Sequence, residues 1–100
     1  MAVTSKVLAR TAAATSNTTL YTVPASTTAI VTNIAVTNTA SSSATFTINL
    51  NSIALFSSVP VDANSTVTID LKQVLTTTQT ITGSASATTV NFHISGVEVA

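Results

Sequence analysis

Ala44-Thr45-Phe46-Thr47-Ile48-Asn49-Leu50 is the stretch on which the fold turns. Phe46, Ile48 and Leu50 fall on one side of an extended chain; Thr45, Thr47 and Asn49 fall on the other. A period of two is the mark of a strand with one buried and one wet face, whereas a helix would scatter these residues around its circumference. The polar partners are threonines, which suit a pleated surface because their branched Cβ packs against cross-strand neighbours.

The same period extends outward in both directions. Asn51-Ser52 is a tight connection into Ile53-Ala-Leu-Phe56, and Pro60, which has no N–H to give to a ladder, marks an edge or a strand end. Asp62-Ala-Asn-Ser65 is turn chemistry, and Val67, Ile69 and Leu71 define another one-faced strand. Upstream, Asn38 to Ser43 reads as a polar loop. Before it, Ile30, Thr32, Ile34 and Val36 share one face and Val31, Asn33, Ala35 and Thr37 the other, so a central strand is expected. Thr18 to Val23 is short and stopped by Pro24; Val3 to Arg10 is a first strand or an arm.

Downstream, Lys72 to Thr78 is the one stretch with a helical option. Thr80 to Ala87 is a weak strand centred on Ile81, with Gly83 as a bulge. Val90, Phe92 and Ile94 point one way and Val97 and Val99 have the opposite parity, so a bulge at Gly96 is expected to return both valines to the core. The reading is all-β: a single antiparallel β-sandwich or jelly-roll-like domain of about seven to eight short strands. Residues 1–17 form an arm or edge strand and residues 18–100 the sandwich.

Composition narrows the function. The hydrophobic share is 45% with only four aromatics (Tyr21, Phe46, Phe56 and Phe92), which predicts an aliphatic core. Charged residues make up 6%, where an ordinary domain has roughly a quarter. They are Lys6, Arg10, Asp62, Asp70, Lys72 and Glu98; they cancel, and none lies between Arg10 and Asp62. Duplex or anionic-membrane binding needs several clustered cations, so neither partner is expected. A net charge near zero favours association. There is no cysteine, hence no disulfide framework or thiolate metal site. The opening residues, interrupted by Lys6 and Arg10, are unlike a secretory signal, and synthesis in the cytoplasm without a signal peptide is expected.

No constellation for catalysis can be written, and the chain reads as a non-enzyme. His93 alternates with Phe92 and Ile94 and should face away from the core. His93, Glu98, Asp62 and Asp70 have none of the metal-ligand spacings, and two glycines cannot build a phosphate-cradling loop, so no metal and no cofactor is expected. Asn17-Thr-Thr and Asn64-Ser-Thr match the glycosylation sequon as any Ser/Thr-rich chain will. Tyr21 is the sole aromatic candidate for a sugar platform and reads better as a strand-end tyrosine with a wet tip. Thr45-Phe-Thr47, Thr66-Val-Thr68 and Thr80-Ile-Thr82 lack the fixed spacing of ice-binding ranks and read as outward strand threonines.

Four segments, Leu20-Tyr-Thr-Val-Pro24, Thr28-Ala-Ile-Val-Thr-Asn-Ile-Ala-Val-Thr-Asn38, Ala44-Thr-Phe-Thr-Ile48 and Val90-Asn-Phe-His-Ile-Ser-Gly-Val-Glu98, resemble a group of small β-sandwich virion proteins of tailed bacteriophages. The likeness runs from about Leu20 to the last residue. It implies a structural role on the particle: a capsid decoration (cement) protein on the outer head surface, or, as the alternative, a tail- or fibre-associated receptor- or glycan-binding module. Implied partners are the major capsid protein or other virion proteins, with self-association, a trimer being favoured. Lys6 and Arg10 are the candidate partner-interface residues, because both early cations precede Leu20. No catalytic or binding residue carries over from the resemblance, since the shared residues are architectural.

Overall fold

The computed structural model describes residues 2–100. Eight strands run in order: β1 (Val3–Ala12), β2 (Thr18–Thr22), β3 (Thr28–Asn38), β4 (Ala44–Leu50), β5 (Ile53–Val61), β6 (Ser65–Leu75), β7 (Thr80–Ala85) and β8 (Val90–Val99). They form two antiparallel sheets, β1-β8-β3-β6 (sheet A) and β2-β7-β4-β5 (sheet B). Within these sheets β1 pairs with β8, β2 with β7, β3 with β6 and β4 with β5. The first half of the chain therefore pairs with the second as one long ribbon, and rolling that ribbon sends alternate pairs to opposite sheets. This is the jelly-roll path.

The core lies between the sheets and is filled by the inward side of the alternation. Phe46 and Ile48 of β4, Ile81 of β7, Ile34 and Val36 of β3, and Val90, Phe92 and Ile94 of β8 are fully buried or nearly so. Phe46 links the layers: its ring meets Phe92 of sheet A edge-on at 6.2 Å and Phe56 of β5 at 6.0 Å, tilted by 55°. Such pairings add about 0.5–1.5 kcal/mol beyond the area they bury. The Asn51-Ser52 connection has both residues at positive φ (50° and 65°), the backbone twist a two-residue hairpin needs.

Three details differ from the sequence reading. First, β8 has no bulge at Gly96. The extra residues sit in its neighbours, at Leu8 between Val7 and Ala9 of β1 and at Thr32 between Val31 and Asn33 of β3, and β6 is irregular at the same level. Gly96 permits this from the side: a Cβ there would lie 2.1 Å from the Ile30 carbonyl oxygen, so only glycine lets β3 come so close. Val97 and Val99 consequently stay on the outer face, half-buried, and the inward parity passes to Glu98. The bulge also splits β3 differently, with Ala29 and Val31, then Ile34, Val36 and Asn38, facing in.

Second, Gly83 is paired regularly with Ile48, and the bulge belongs to Leu20 of the neighbouring β2. A Cβ on Gly83 would come within 3.0 Å of the Leu20 side chain and 3.1 Å of the Thr47 carbonyl oxygen. Third, Lys72 to Leu75 is the end of β6, not a helix. Leu75 is drawn into the core, and a turn follows in which the Gln79 N–H donates to the Thr76 carbonyl at 3.0 Å. Val3 to Ala12 is an edge strand hydrogen-bonded to β8.

Candidate functional site

Charge is distributed by sheet. Lys6 and Arg10 stand on β1, Asp70 and Lys72 on β6 and Glu98 on β8, all in sheet A; Asp62 is in the connection from β5 to β6. The strands of sheet B carry no formal charge. Their outer face is dressed with Thr45, Thr47, Asn49, Thr80 and Ser84, hydroxyls and amides that give up water at lower cost than ions do.

Lys6, one of the two candidate interface cations, is engaged within the fold. Its Nζ lies 3.3 Å from both carboxylate oxygens of Glu98, and the Tyr21 hydroxyl of β2 donates to the same carboxylate from the opposite sheet. The hydrogen bond from Tyr21 holds the Glu98 carboxyl below its ordinary range, against the cost of desolvation and with help from Lys6. Burial, the hydrogen bond to Glu98 and its negative charge push the Tyr21 phenol well above its ordinary value. The hydroxyl is thus held as phenol and the carboxyl as carboxylate, and with Lys6 the group clasps β1 and β8 to β2 across the sandwich. Tyr21 is buried with its tip on Glu98, which removes it as a sugar platform.

Arg10 sits on the outer face of sheet A, opposite His93 of β8, and both are exposed. Lys6 and Arg10 are therefore not one site: the bulge at Leu8 puts Arg10 on the outer face, while Lys6 turns to the Glu98 clasp. Asp62 is exposed in its turn, where Asn64 takes a positive φ of 51°. Among the described residues no group of three or more His, Asp or Glu is placed to hold a metal ion, and no helix is long and apolar enough to cross a membrane.

Apolar surface is exposed at Val3 and Val7 of β1, Val74 of β6 and Ile53 of β5. Val74 and Ile53 flank an open groove of about 250 Å³ between β5 and β6, floored by Leu50, Leu55 and Leu75. Val74 continues onto the outer face of sheet A, where it neighbours Ile30, itself opposite Val97. Apolar patches that wrap from a face onto an edge are typical of surfaces that meet other proteins.

One residue with a large structural role escaped the sequence reading, which placed Asn38 in a polar loop. It ends β3 with its side chain fully buried. Its Nδ2 donates to the carbonyls of Ser42 at 2.8 Å and Val61 at 3.3 Å, and its Oδ1 accepts from the Ala40 N–H at 3.1 Å and the Thr89 hydroxyl at 3.2 Å. One amide thereby ties three connections at the same end of the roll. The signal was available: Ile34, Val36 and Asn38 share a parity, so the amide falls on the inward face.

No family model, no curated protein and no solved structure matches this chain.

Proposed function

We propose that this protein is a structural component of a tailed-phage particle, acting as a decoration protein that binds the outer surface of the head. Its mechanism is burial of surface: many copies, each covering roughly 1,600 Å² across shell subunits, raise the cost of pulling those subunits apart. The observation that carries the reading is the charge-free sheet B, whose strands offer a hydroxyl-rich face that can be covered without desolvating an ion. The resemblance supports the same reading through its framework residues. Leu20 supplies the β2 bulge, Gly96 the close approach of β3, and Glu98 the clasp.

The test is to locate and count the protein on purified virions, with labelled antibody and quantitative mass spectrometry of the particle. Many copies spread over the head are expected. A handful confined to the tail would replace this reading with the receptor- or glycan-binding one, and absence from the particle would overturn both.

A further inference from the structure

Four strands end the two sheets, and three of them are poor templates for another chain. In sheet B, β2 is five residues long and bulged at Leu20. β5 has two irregularities against β4, Ser58 at a positive φ of 50°, and Pro60. Bulges and proline are the usual ways to blunt an edge. In sheet A, β1 carries Lys6 and Arg10, and pairing it antiparallel with a second β1 about Leu8 would set cation against cation.

β6 is the exception. It is eleven residues long, and among the described residues no strand pairs along the side facing away from β3. Its exposure alternates without a break from Ser65 to Lys72, with Thr66, Thr68, Asp70 and Lys72 outward, followed by exposed Val74. Its one irregularity, Leu71 and Lys72 standing together opposite Thr32 of β3, leaves that alternation intact. Among the described residues the only ion pair is Lys6–Glu98, so Asp70 and Lys72, two apart on one face, do not satisfy each other. One oxygen of Asp70 accepts from Asn33 Nδ2 at 3.0 Å, and the other is left for a cation.

We infer that β6 is a self-association edge, on which two copies of the chain pair β6 to β6 antiparallel about a two-fold axis at Leu71. In that register Asp70 of each copy stands directly opposite Lys72 of the other, and residues directly opposite in an antiparallel pair point to the same face. The charge pattern is self-complementary and forms the pair twice. Thr68 of each copy lies opposite the exposed Val74 of the other, covering the rim of the groove between β5 and β6. Both sheets A join into one eight-stranded sheet, and the interface is isologous, so assembly closes at two. A two-fold pair takes the place of the trimer favoured on sequence, and the inference does not depend on a virion role.

The full chain is expected to dimerise reversibly in sedimentation equilibrium. Asp70→Lys alone and Lys72→Asp alone each place like charges opposite one another and should weaken the dimer by about tenfold or more; the double exchange, Asp70→Lys with Lys72→Asp, restores both pairs and should return to within about threefold of the parent. Both positions are exposed, and circular dichroism confirms that each variant is folded. A second measurement uses the absence of cysteine. Thr68→Cys with Val74→Cys should close disulfides between chains on mild oxidation, because within one chain the two are roughly 20 Å apart along the strand. A wild-type chain that stays monomeric, a double exchange no better than the single ones, or no interchain disulfide would each overturn the inference.

Discussion

The two sheets reach the same core by different means. Sheet B is short-stranded and uncharged, with irregular, guarded edges, and its central pair β4–β7 packs by plain alternation: Phe46 and Ile48 of β4 and Ile81 of β7 are buried. Sheet A is built of strands of ten and eleven residues, carries five of the six formal charges, and is crossed by a line of irregularities at Leu8, Thr32 and the end of β6. Long strands accumulate twist, and bulges concentrate it at one level. Sheet B holds the roll together by side-chain packing; sheet A depends in addition on a backbone feature at one glycine.

That difference sets the largest expected effect. Gly96→Ala places a Cβ 2.1 Å from a carbonyl oxygen of β3, where only backbone can yield, and should destabilise the fold by about 3 kcal/mol or more. Gly83→Ala in sheet B meets the tip of Leu20 at 3.0 Å, a side chain able to turn aside, although the Thr47 carbonyl at 3.1 Å must also give; about 1–2 kcal/mol is expected. Urea denaturation of both variants measures the gap. Equal losses would mean that the irregular line in sheet A carries no special burden.

Asn38 tests what the sheets share, since its amide reaches the ends of β3 and β5 and the connection before β8. Asn38→Ala strands the Ala40 N–H and the Thr89 hydroxyl and should cost about 2–3 kcal/mol, between the larger and smaller glycine effects. Asn38 also shows where sequence reading stops. The alternations of Phe46-Ile48-Leu50 and Val90-Phe92-Ile94 exposed the fold class, because local parity and burial agree there. They failed at Gly96, Gly83 and Val97, because a bulge is settled between two strands and a single strand shows only that something must shift. The charge-free run from Arg10 to Asp62 was legible, yet the gathering of three of its strands, β2, β4 and β5, into one sheet with the charge-free β7 needed the strand order. The Lys6–Glu98–Tyr21 clasp joins residues far apart in the chain, and only Glu98's need of a charged neighbour could be foreseen.

The clasp gives the smallest effect and the most specific one, since it is the polar link from sheet A's charges to sheet B. Glu98 titrates below its ordinary value in the folded chain, so its contribution is present above the unfolded value, about 4.3, and is lost as pH falls through the depressed folded one. Tyr21 is shifted the other way: its contribution is complete below its unfolded value, about 10, and declines only as pH rises through the raised folded one. Between these limits Tyr21→Phe should lower the melting temperature by a few degrees at constant offset. As pH falls through the depressed folded value the offset should shrink, because a protonated Glu98 no longer rewards the phenol with a charge-assisted hydrogen bond. Calorimetry of both chains from pH 3 to 7 reads it directly. An offset that persists undiminished across that range would assign Tyr21 to packing alone and leave the Asn38 amide as the polar tie between the sheets.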